Sequence, residues 1–314
     1  MVNIQKAAVI GCGFVGSTIA YTLMQKGLFS EMVLLDANKA KAEGEAMDIS
    51  HGLPFTHAMD IYAGEYEDIA DASVVIITAG ANQKPGETRL DLVQKNAAIM
   101  RSIIKEIKRV NCEGILLIVS NPVDILTEVA LRESGFPKER VIGSGTVLDT
   151  ARLKYIISEK LDVDSRNVHA FIVGEHGDSE LAAWSCANIY GIKLQDFAKM
   201  RGYEHFAQDM EEVYKGVRDS AYEIIERKGA TYYGIGMAAE KIVDAIVRNS
   251  HTVAPISVSL DGKYGLEGLC LSIPTIVGRG GAEQVLEIDF SEEEMKKLRK
   301  SAEELGAVLD QVNI

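Results

Sequence analysis

Residues 6–36 read KAAVIGCGFVGSTIAYTLMQKGLFSEMVLLD, and this stretch decides the fold. An apolar run enters a glycine loop, a helix-like segment follows, and a second apolar run ends at Asp36. The loop glycines have the spacing that allows a tight turn, close approach of a pyrophosphate and close helix–strand packing; they are Gly11, Gly13 and Gly16. Free N–H groups at the start of the helix would bind the phosphates. The stretch therefore predicts a dinucleotide site, although glycine-rich turns also occur without ligands.

Asp36 indicates which dinucleotide would bind. It lies 20 residues after Gly16, where such sites place the carboxylate that binds the ribose hydroxyls. A carboxylate there would repel a 2′-phosphate, which favours NAD over NADP. Phe14 and Val15 lie between the second and third glycines and are assigned to the same cofactor site.

The composition is that of an ordinary globular protein. Its 314 residues correspond to about two domains of ~150 residues each. The net charge of −13 argues against nucleic acid as a partner, so local cations would have to attract an anionic substrate. Nothing resembles a signal peptide, and no apolar run approaches the ~18 residues of a membrane span. We therefore expect a cytoplasmic protein without a membrane partner.

The cysteines give no sign of a metal site or a disulfide framework. They are scattered along the chain as Cys12, Cys112, Cys186 and Cys270. None has a CxxC spacing, so we expect reduced thiols and no bound metal. Cys12 could be an oxidation-sensitive residue of the glycine loop, but a small loop residue is the favoured interpretation.

The order of apolar segments predicts an α/β protein with two domains. Residues 1–144 alternate strand-like and helix-like segments, which is typical of a Rossmann-type, doubly wound parallel sheet. Residues 145–314 open with a helix from Thr146 through Lys160 and then show shorter alternating runs. We expect an NAD-binding domain over 1–144 and an α+β catalytic domain with antiparallel strands over 145–314.

The segments expected in these domains can be stated by residue. Strands are expected at 7–10, 32–35, 58–63, 73–79, 115–120, 141–142, 168–173, 253–260 and 270–277. Helices are expected at 37–51, 90–110, 123–133, 146–160, 208–227 and 235–249. A last helix should begin at the capping box of Ser291 and Glu294.

Three residues form the first candidate for chemistry. His176 lies between glycine-containing turns in VGEHGDS, and histidine titrates in the working pH range. Asp149 and Arg152 are three residues apart, so on a helix they share a face. An aspartate could orient the histidine, and an arginine could clamp a carboxylate. A histidine in a surface turn and a surface ion pair are the alternatives.

Two further candidates follow apolar strands, where doubly wound sheets bind ligands. The segment GANQKPGETR runs from Gly80 to Arg89 and suits a mobile loop, or else a plain solvated loop. Asn121 in Ser-Asn-Pro could donate or accept a hydrogen bond at a site, or simply belong to a turn that starts a helix.

Taken together, these segments resemble the L-lactate/malate dehydrogenase family over essentially the whole chain. The motifs occur in family order as GCGFVG, LLD, GANQKPGETRLDLV, SNPVD, GSGTVLDTAR and GEHGDSE, and they look most like the bacterial L-lactate dehydrogenase branch. The resemblance implies reversible, NADH-dependent reduction of pyruvate to L-lactate by a homotetramer.

The same resemblance implies a role for each site residue. His176 is the implied proton donor and acceptor, Asp149 orients it, and Arg152 binds the substrate carboxylate. Arg89 polarises the substrate carbonyl from a closing loop. Asn121 is implied to contact the reacting oxygen and the cofactor, and its peptide bond to Pro122 is implied to be cis. Thr231 is implied to contact the substrate side chain, and Ile235 the nicotinamide.

Gln83 distinguishes the possible substrates. Malate enzymes of the family carry arginine at this position to pair with a second carboxylate, and Gln83 has no charge, which favours pyruvate. The alternatives are malate dehydrogenase and dehydrogenases of bulkier 2-hydroxy acids, against which Thr231 adds bulk. An NAD-dependent glycosidase would need metal ligands that the sequence does not suggest, and a silent NAD sensor would not need the catalytic set.

Lys154 and His169 suggest regulation. Lys154 lies about 200° around a helix from Arg152, so it should face away from the substrate. The family resemblance implies an effector site here, because many bacterial members of the family bind fructose 1,6-bisphosphate between subunits through an arginine and a histidine at these positions. This chain keeps His169 but has Lys154, which lacks the planar fork of arginine. Two ordinary surface side chains are the alternative.

Overall fold

The computed structural model describes residues 2–81, 86 and 88–312. Its strands are β1 (Asn3–Ile10), β2 (Glu31–Leu35), β3 (Asp60–Ala63), β4 (Ala72–Ile77), β5 (Ile115–Ile118), β6 (Val141–Gly143), β7 (Val168–His169), β8 (Ile172–Val173), β9 (Leu181–Ala182), β10 (Asn188–Ile189), β11 (Ile192–Lys193), β12 (Thr252–Ser259), β13 (Cys270–Gly278) and β14 (Gly281–Val285). Its α-helices are α1 (Phe14–Lys26), α2 (Lys39–Ser50), α3 (Arg89–Arg109), α4 (Val123–Ser134), α5 (Val147–Leu161), α6 (Leu194–Met200), α7 (Phe206–Lys228), α8 (Tyr233–Arg248) and α9 (Glu292–Leu309).

One large sheet runs through both halves of the chain in the order β14-β13-β12-β6-β5-β4-β1-β2-β3. The strands from β1 to β6 are parallel to one another. The strands β12, β13 and β14 are antiparallel and join the sheet where Ser257 of β12 pairs with Gly143 of β6. The predicted fold class is therefore confirmed, and the long antiparallel strands extend the parallel sheet.

Apolar side chains cover both faces of this sheet. Successive residues of a strand point to opposite faces, so Val75 and Ile77 of β4 pack in one core and Val74 and Ile76 in the other. Burial on both faces explains why the parallel strands are continuous apolar runs. A third core lies between α5 and α7 and includes Leu153.

The six helices expected between residues 37 and 249 begin and end within two residues of the observed ones, whereas the first helix begins at Phe14 and not at the expected Ser17. The capping box at the start of α9 is confirmed, since the Ser291 N–H donates to the Glu294 side chain and Ser291 Oγ accepts from the Glu294 N–H. The expectation of one strand over 168–173 is wrong. Its first half pairs as β7 with β10, and its second half pairs as β8 with β9 in a different sheet.

No helix in the part of the chain that the structure describes is long and apolar enough to cross a membrane.

Candidate active site

Two adjoining clefts lie at the edge where the parallel strands end. The glycine-loop cleft has a volume of about 660 Å³ and is lined by Gly11 and Asp36, among others. The histidine cleft has a volume of about 620 Å³ and is lined by Asn121 and His176, among others. Thr78, after β4, lines both clefts. A ligand in the first cleft can therefore extend into the second.

The glycine loop is packed too closely for side chains at two of its glycines. Gly11 has a φ of +103°, and a Cβ there would lie 2.6 Å from the Ala79 nitrogen. A Cβ on Gly16 would lie 1.8 Å from the Gly11 oxygen. A Cβ on Gly13 would meet no atom within 4 Å, so this side of the loop is open. The helix α1 that follows has no side-chain cap, which leaves its first N–H groups available to an anion.

The Asp36 carboxylate is held at the end of β2 by backbone groups. Its Oδ2 accepts the Cys12 N–H at 2.7 Å, and its Oδ1 accepts the Asn38 N–H at 2.9 Å. Each carboxylate oxygen can accept a further bond, so ribose hydroxyls can still reach it. Together with the open loop, this carboxylate fits a dinucleotide. Cys12 is buried, and burial raises the pKa of its thiol, as expected for a small, unreactive loop residue.

The structure brings His176, Asp149 and Arg152 together. Asp149 Oδ2 lies 2.5 Å from His176 Nδ1, and Asp149 Oδ1 accepts a bond from Arg152 Nη1 at 2.8 Å. Asp149 and Arg152 lie one turn apart on α5, whereas His176 follows β8. Asp149 is only 3% exposed, so its carboxylate is well shielded from water between the imidazole and the guanidinium.

This arrangement favours a protonated histidine. Burial disfavours the imidazolium, but the charge and hydrogen bond of Asp149 outweigh it and raise the pKa of His176 to about 9. Burial also opposes ionisation of Asp149, but His176 and Arg152 outweigh that effect and hold its pKa below the ordinary value. The pair can therefore store a proton on the imidazole at neutral pH.

Asp124 fixes the backbone of His176, and the sequence did not single it out. This residue of α4 is 1% exposed, and its Oδ2 accepts the His176 N–H at 2.7 Å. Its Oδ1 accepts bonds from Ser257 Oγ at 2.6 Å and Ser272 Oγ at 3.2 Å. Burial outweighs these bonds and raises the pKa of Asp124 to about 6. An acidic residue in the first turn of a helix is normally attributed to the helix dipole, so no local signal marks this role.

Asn96 is a second residue that the sequence did not single out. Its buried amide donates to the Asn121 carbonyl at 2.9 Å and accepts the Ala81 N–H at 2.8 Å. It thereby connects the segments that follow β4 and β5. The Asn121–Pro122 bond is cis, as the family resemblance implied. A polar residue on the apolar face of α3 was the available signal.

Arg89 lies in the first turn of α3 and points at the segment that carries His176. Its guanidinium lies 3.3 Å from the Glu175 carboxylate and 3.6 Å from that of Asp178, and its side chain is 66% exposed. Gln83 lies outside the described residues. Among the described residues of the 80–89 segment, Gly80, Ala81 and Arg89 line the histidine cleft.

The remaining candidates are not among the described residues that line the two clefts. Thr231 precedes α8 and Ile235 lies in its first turn; neither is among the described residues that line either cleft, whereas Tyr222 of α7 lines the histidine cleft. Lys154 is half-buried on α5, and burial lowers its pKa. His169 is exposed on β7, which packs against α5.

Comparisons with known proteins cover the whole chain. Residues 5–143 match the family model described as lactate/malate dehydrogenase, NAD binding domain. Residues 146–313 match the one described as lactate/malate dehydrogenase, alpha/beta C-terminal domain.

Individual relatives are similar along their full lengths. An L-lactate dehydrogenase of Acetivibrio thermocellus is 53% identical over 311 residues, which cover 99% of this chain and 98% of the relative. One from Priestia megaterium is 49% identical over 98% of this chain and 96% of the relative. Among solved structures, a lactate dehydrogenase from a Medee basin deep-sea metagenome library is 48% identical, with a TM-score of 0.97 and full coverage of both chains. The ligand-bound minor L-lactate dehydrogenase of Enterococcus mundtii is 45% identical, with a TM-score of 0.95 and 99% coverage of both chains.

Proposed function

Because the chain belongs to the lactate/malate dehydrogenase family and is an NAD-dependent oxidoreductase, we propose that it reduces pyruvate to L-lactate with NADH and catalyses the reverse reaction. The observation that carries the proposal is the buried Asp149 carboxylate, 2.5 Å from His176 and 2.8 Å from Arg152. An acid next to an anion-binding guanidinium suits a small 2-oxo acid. Relatives named L-lactate dehydrogenase support this choice.

The cofactor would lie in the glycine-loop cleft. Gly11, Gly13 and Gly16 shape the loop, the N-terminus of α1 binds the phosphates, and Asp36 binds the ribose hydroxyls. Phe14 and Val15 flank this path, with Val15 lining the histidine cleft. We also assign Ile235 to the nicotinamide end, where the bound cofactor supplies or accepts a hydride.

The protein binds the substrate and moves one proton. Arg152 holds the substrate carboxylate through charge-assisted hydrogen bonds. His176 Nδ1 faces Asp149, so Nε2 is the ring nitrogen that gives its proton to the oxygen of the reduced carbonyl. Asp149 keeps this tautomer and stabilises the imidazolium. In lactate oxidation the same nitrogen accepts the proton.

Arg89 and Asn121 act on the reacting oxygen. In this structure, the Arg89 guanidinium contacts Glu175 and Asp178. We assign it to polarise the substrate carbonyl once the guanidinium has moved away from these two carboxylates. Asn121 donates a hydrogen bond near the same oxygen and contacts the cofactor. Movement of Arg89 toward the substrate would couple loop closure to catalysis.

Gln83 and Thr231 determine the choice of substrate in this proposal. Gln83 is uncharged, so a second substrate carboxylate would have no cationic partner, which favours pyruvate over oxaloacetate. Malate dehydrogenase is the second candidate. The test is NADH oxidation with pyruvate, oxaloacetate and 2-ketoisocaproate. A kcat/KM that is highest for pyruvate supports the proposal; preference for oxaloacetate supports the second candidate; NADH binding without turnover of any substrate would indicate a sensor.

We further propose a cytoplasmic homotetramer with a cofactor part in residues 1–144 and a catalytic part in 145–314, activated by fructose 1,6-bisphosphate. His169 is exposed on β7, Lys154 is half-buried on α5, and these two elements pack against each other. The helix α5 also carries Arg152. Facing pairs of these cations across a subunit interface would repel until a phosphate neutralises them. The pyruvate KM should therefore fall with the bisphosphate in the parent enzyme but not in Lys154→Ala/His169→Ala. An equal fall in both proteins, or none in the parent, would contradict activation at this site.

A further inference from the structure

Glu180 is a buried carboxylate next to the proposed proton donor. It lies four residues after His176 and is 8% exposed. A carboxylate oxygen of Glu180, one of Asp149 and a ring nitrogen of His176 all lie within 4.8 Å of one another. The Tyr214 hydroxyl holds the backbone by donating to the Glu180 carbonyl. The segment therefore places a second acid next to the Asp149–His176 pair.

The side chain of Glu180 has no fixed partner among the described residues, since its carboxylate makes no hydrogen bond or ion pair to any of them. Every fully enclosed side-chain polar atom in that part of the chain does have a partner. The Glu180 oxygens must therefore keep some contact with solvent, and a proton can reach them.

The charges around Glu180 come from three elements. Asp149 and Arg152 face it from α5, Tyr214 and Arg218 from α7, and His176 from its own segment. Burial, followed by the charge of Asp149, raises the pKa of Glu180 to about 8. Arg218 is exposed, so water screens its compensating charge.

Counting charges shows what this carboxyl would do. Around the bound substrate, Asp149 and Asp124 are ionised, whereas His176, Arg152 and Arg89 are positively charged. Their net charge is +1, which one substrate carboxylate neutralises. An ionised Glu180 would cancel that positive charge before the substrate arrives, so the substrate anion would create a net negative charge in a buried site.

We propose that Glu180 is a positioning residue that holds a proton beside the Asp149–His176 pair, and that its ionisation weakens binding of the substrate anion. The proposal rests on the assignment of Arg152 to the substrate carboxylate. Substrate binding must reciprocally favour protonation of Glu180. Glu180 thus makes affinity for the 2-oxo acid depend on pH, while the proton used in the reaction stays on His176.

The test compares oxamate, an unreactive 2-oxo acid analogue, binding to the NADH-saturated parent, Glu180→Gln and Glu180→Asp between pH 6.5 and 9. Glutamine mimics the protonated acid, so the parent and Glu180→Gln should bind oxamate within about threefold at pH 7. By pH 9 Glu180→Gln should bind about fivefold more tightly, as expected for a Glu180 pKa of about 8 that oxamate raises by about one unit. Glu180→Asp keeps an ionisable carboxyl, so its affinity for oxamate should decrease with rising pH as that of the parent does.

Two further readouts separate this role from a structural one. Glu180→Gln should change the pH dependence of the pyruvate KM and leave kcat at pH 7 within about threefold of the parent. Calorimetry in buffers of different ionisation enthalpy should show that the parent takes up more protons than Glu180→Gln when oxamate binds at pH 8. If Glu180→Gln does not fold, the infrared carbonyl band of a protonated carboxylic acid in the parent, increased by oxamate at pH 8, gives the same information.

The outcomes distinguish this inference from the proposed function. If the parent neither turns over pyruvate nor binds oxamate at any pH, the proposed function is wrong and this inference with it. If the parent does both, but Glu180→Gln follows its pH dependence and its proton uptake, the role of Glu180 alone is overturned. An absent carbonyl band in the parent has the same meaning.

Discussion

Replacing Asp149 by asparagine should move the pH profile of pyruvate reduction to lower pH. In the parent, Asp149 lies 2.5 Å from His176 and raises the histidine pKa to about 9. Without that charge, burial remains as the main influence and opposes the imidazolium. We expect the pKa of His176 in Asp149→Asn to be at or below its ordinary value of ~6.5.

The size of the effect follows from these two values. With a pKa of about 9, about 97% of His176 is protonated at pH 7.5. With a pKa of ~6.5, only about 9% is protonated, so protonation alone should lower the reduction rate at that pH by about tenfold. The difference corresponds to about 3 kcal/mol of preference for the imidazolium. Loss of orientation should reduce the rate further at every pH.

The assay is kcat at saturating pyruvate between pH 5.5 and 9.5, with Glu159→Gln as the control. Glu159 is an exposed carboxylate on the same helix, so its removal tests the loss of one negative charge from α5 away from His176. The profile should fall near pH 9 in the parent and the control, and near or below pH 6.5 in Asp149→Asn. A variant whose profile still falls near pH 9 would refute the reasoning.

Stability should follow the same titration. His176 has a folded pKa above its unfolded value, so its contribution is fully present below pH ~6.5 and is lost as the pH rises through about 9. The urea midpoint of the parent should decrease over this window more than that of Asp149→Asn. Equal decreases would indicate that Asp149 does not set the charge of His176.

Three further substitutions test other parts of the site. Gln83→Arg should raise kcat/KM for oxaloacetate and lower it for pyruvate, because a guanidinium without a partner is costly to bury; an unchanged ratio would contradict the assignment. Asp36→Ser should weaken NADH binding and penalise NADPH less, measured as separate dissociation constants; a parent that uses both cofactors equally well would reject this role. Asp124→Asn should lower the free energy of unfolding in urea by about 1–3 kcal/mol and reduce kcat, because the amide NH₂ would replace one carboxylate oxygen and leave either the His176 N–H or the Ser257 hydroxyl facing a donor; an unaltered midpoint would show that the buried charge is not needed.

The sequence by itself determined the features that depend on neighbouring residues. The Rossmann-type loop follows from Gly11, Gly13 and Gly16 with the strand before them and Asp36 after them, because each group acts within one βαβ unit. Helix ends and the Ser291–Glu294 capping box were predictable because helix periodicity and capping involve residues a few positions apart.

No local pattern of residues shows which distant groups share a hydrogen bond, and only the tertiary structure brings such groups together. Asp149 and His176 are 27 positions apart, and Asp124 lies 52 positions before the backbone N–H that it accepts. From the sequence, Asp124 and Glu180 look like ordinary charged residues, because burial is set by the packing of α4, α5 and α7 around them. The split of residues 168–173 between two sheets has the same cause. Strand propensity is local, but the choice of a hydrogen-bonding partner depends on which segments packing brings alongside.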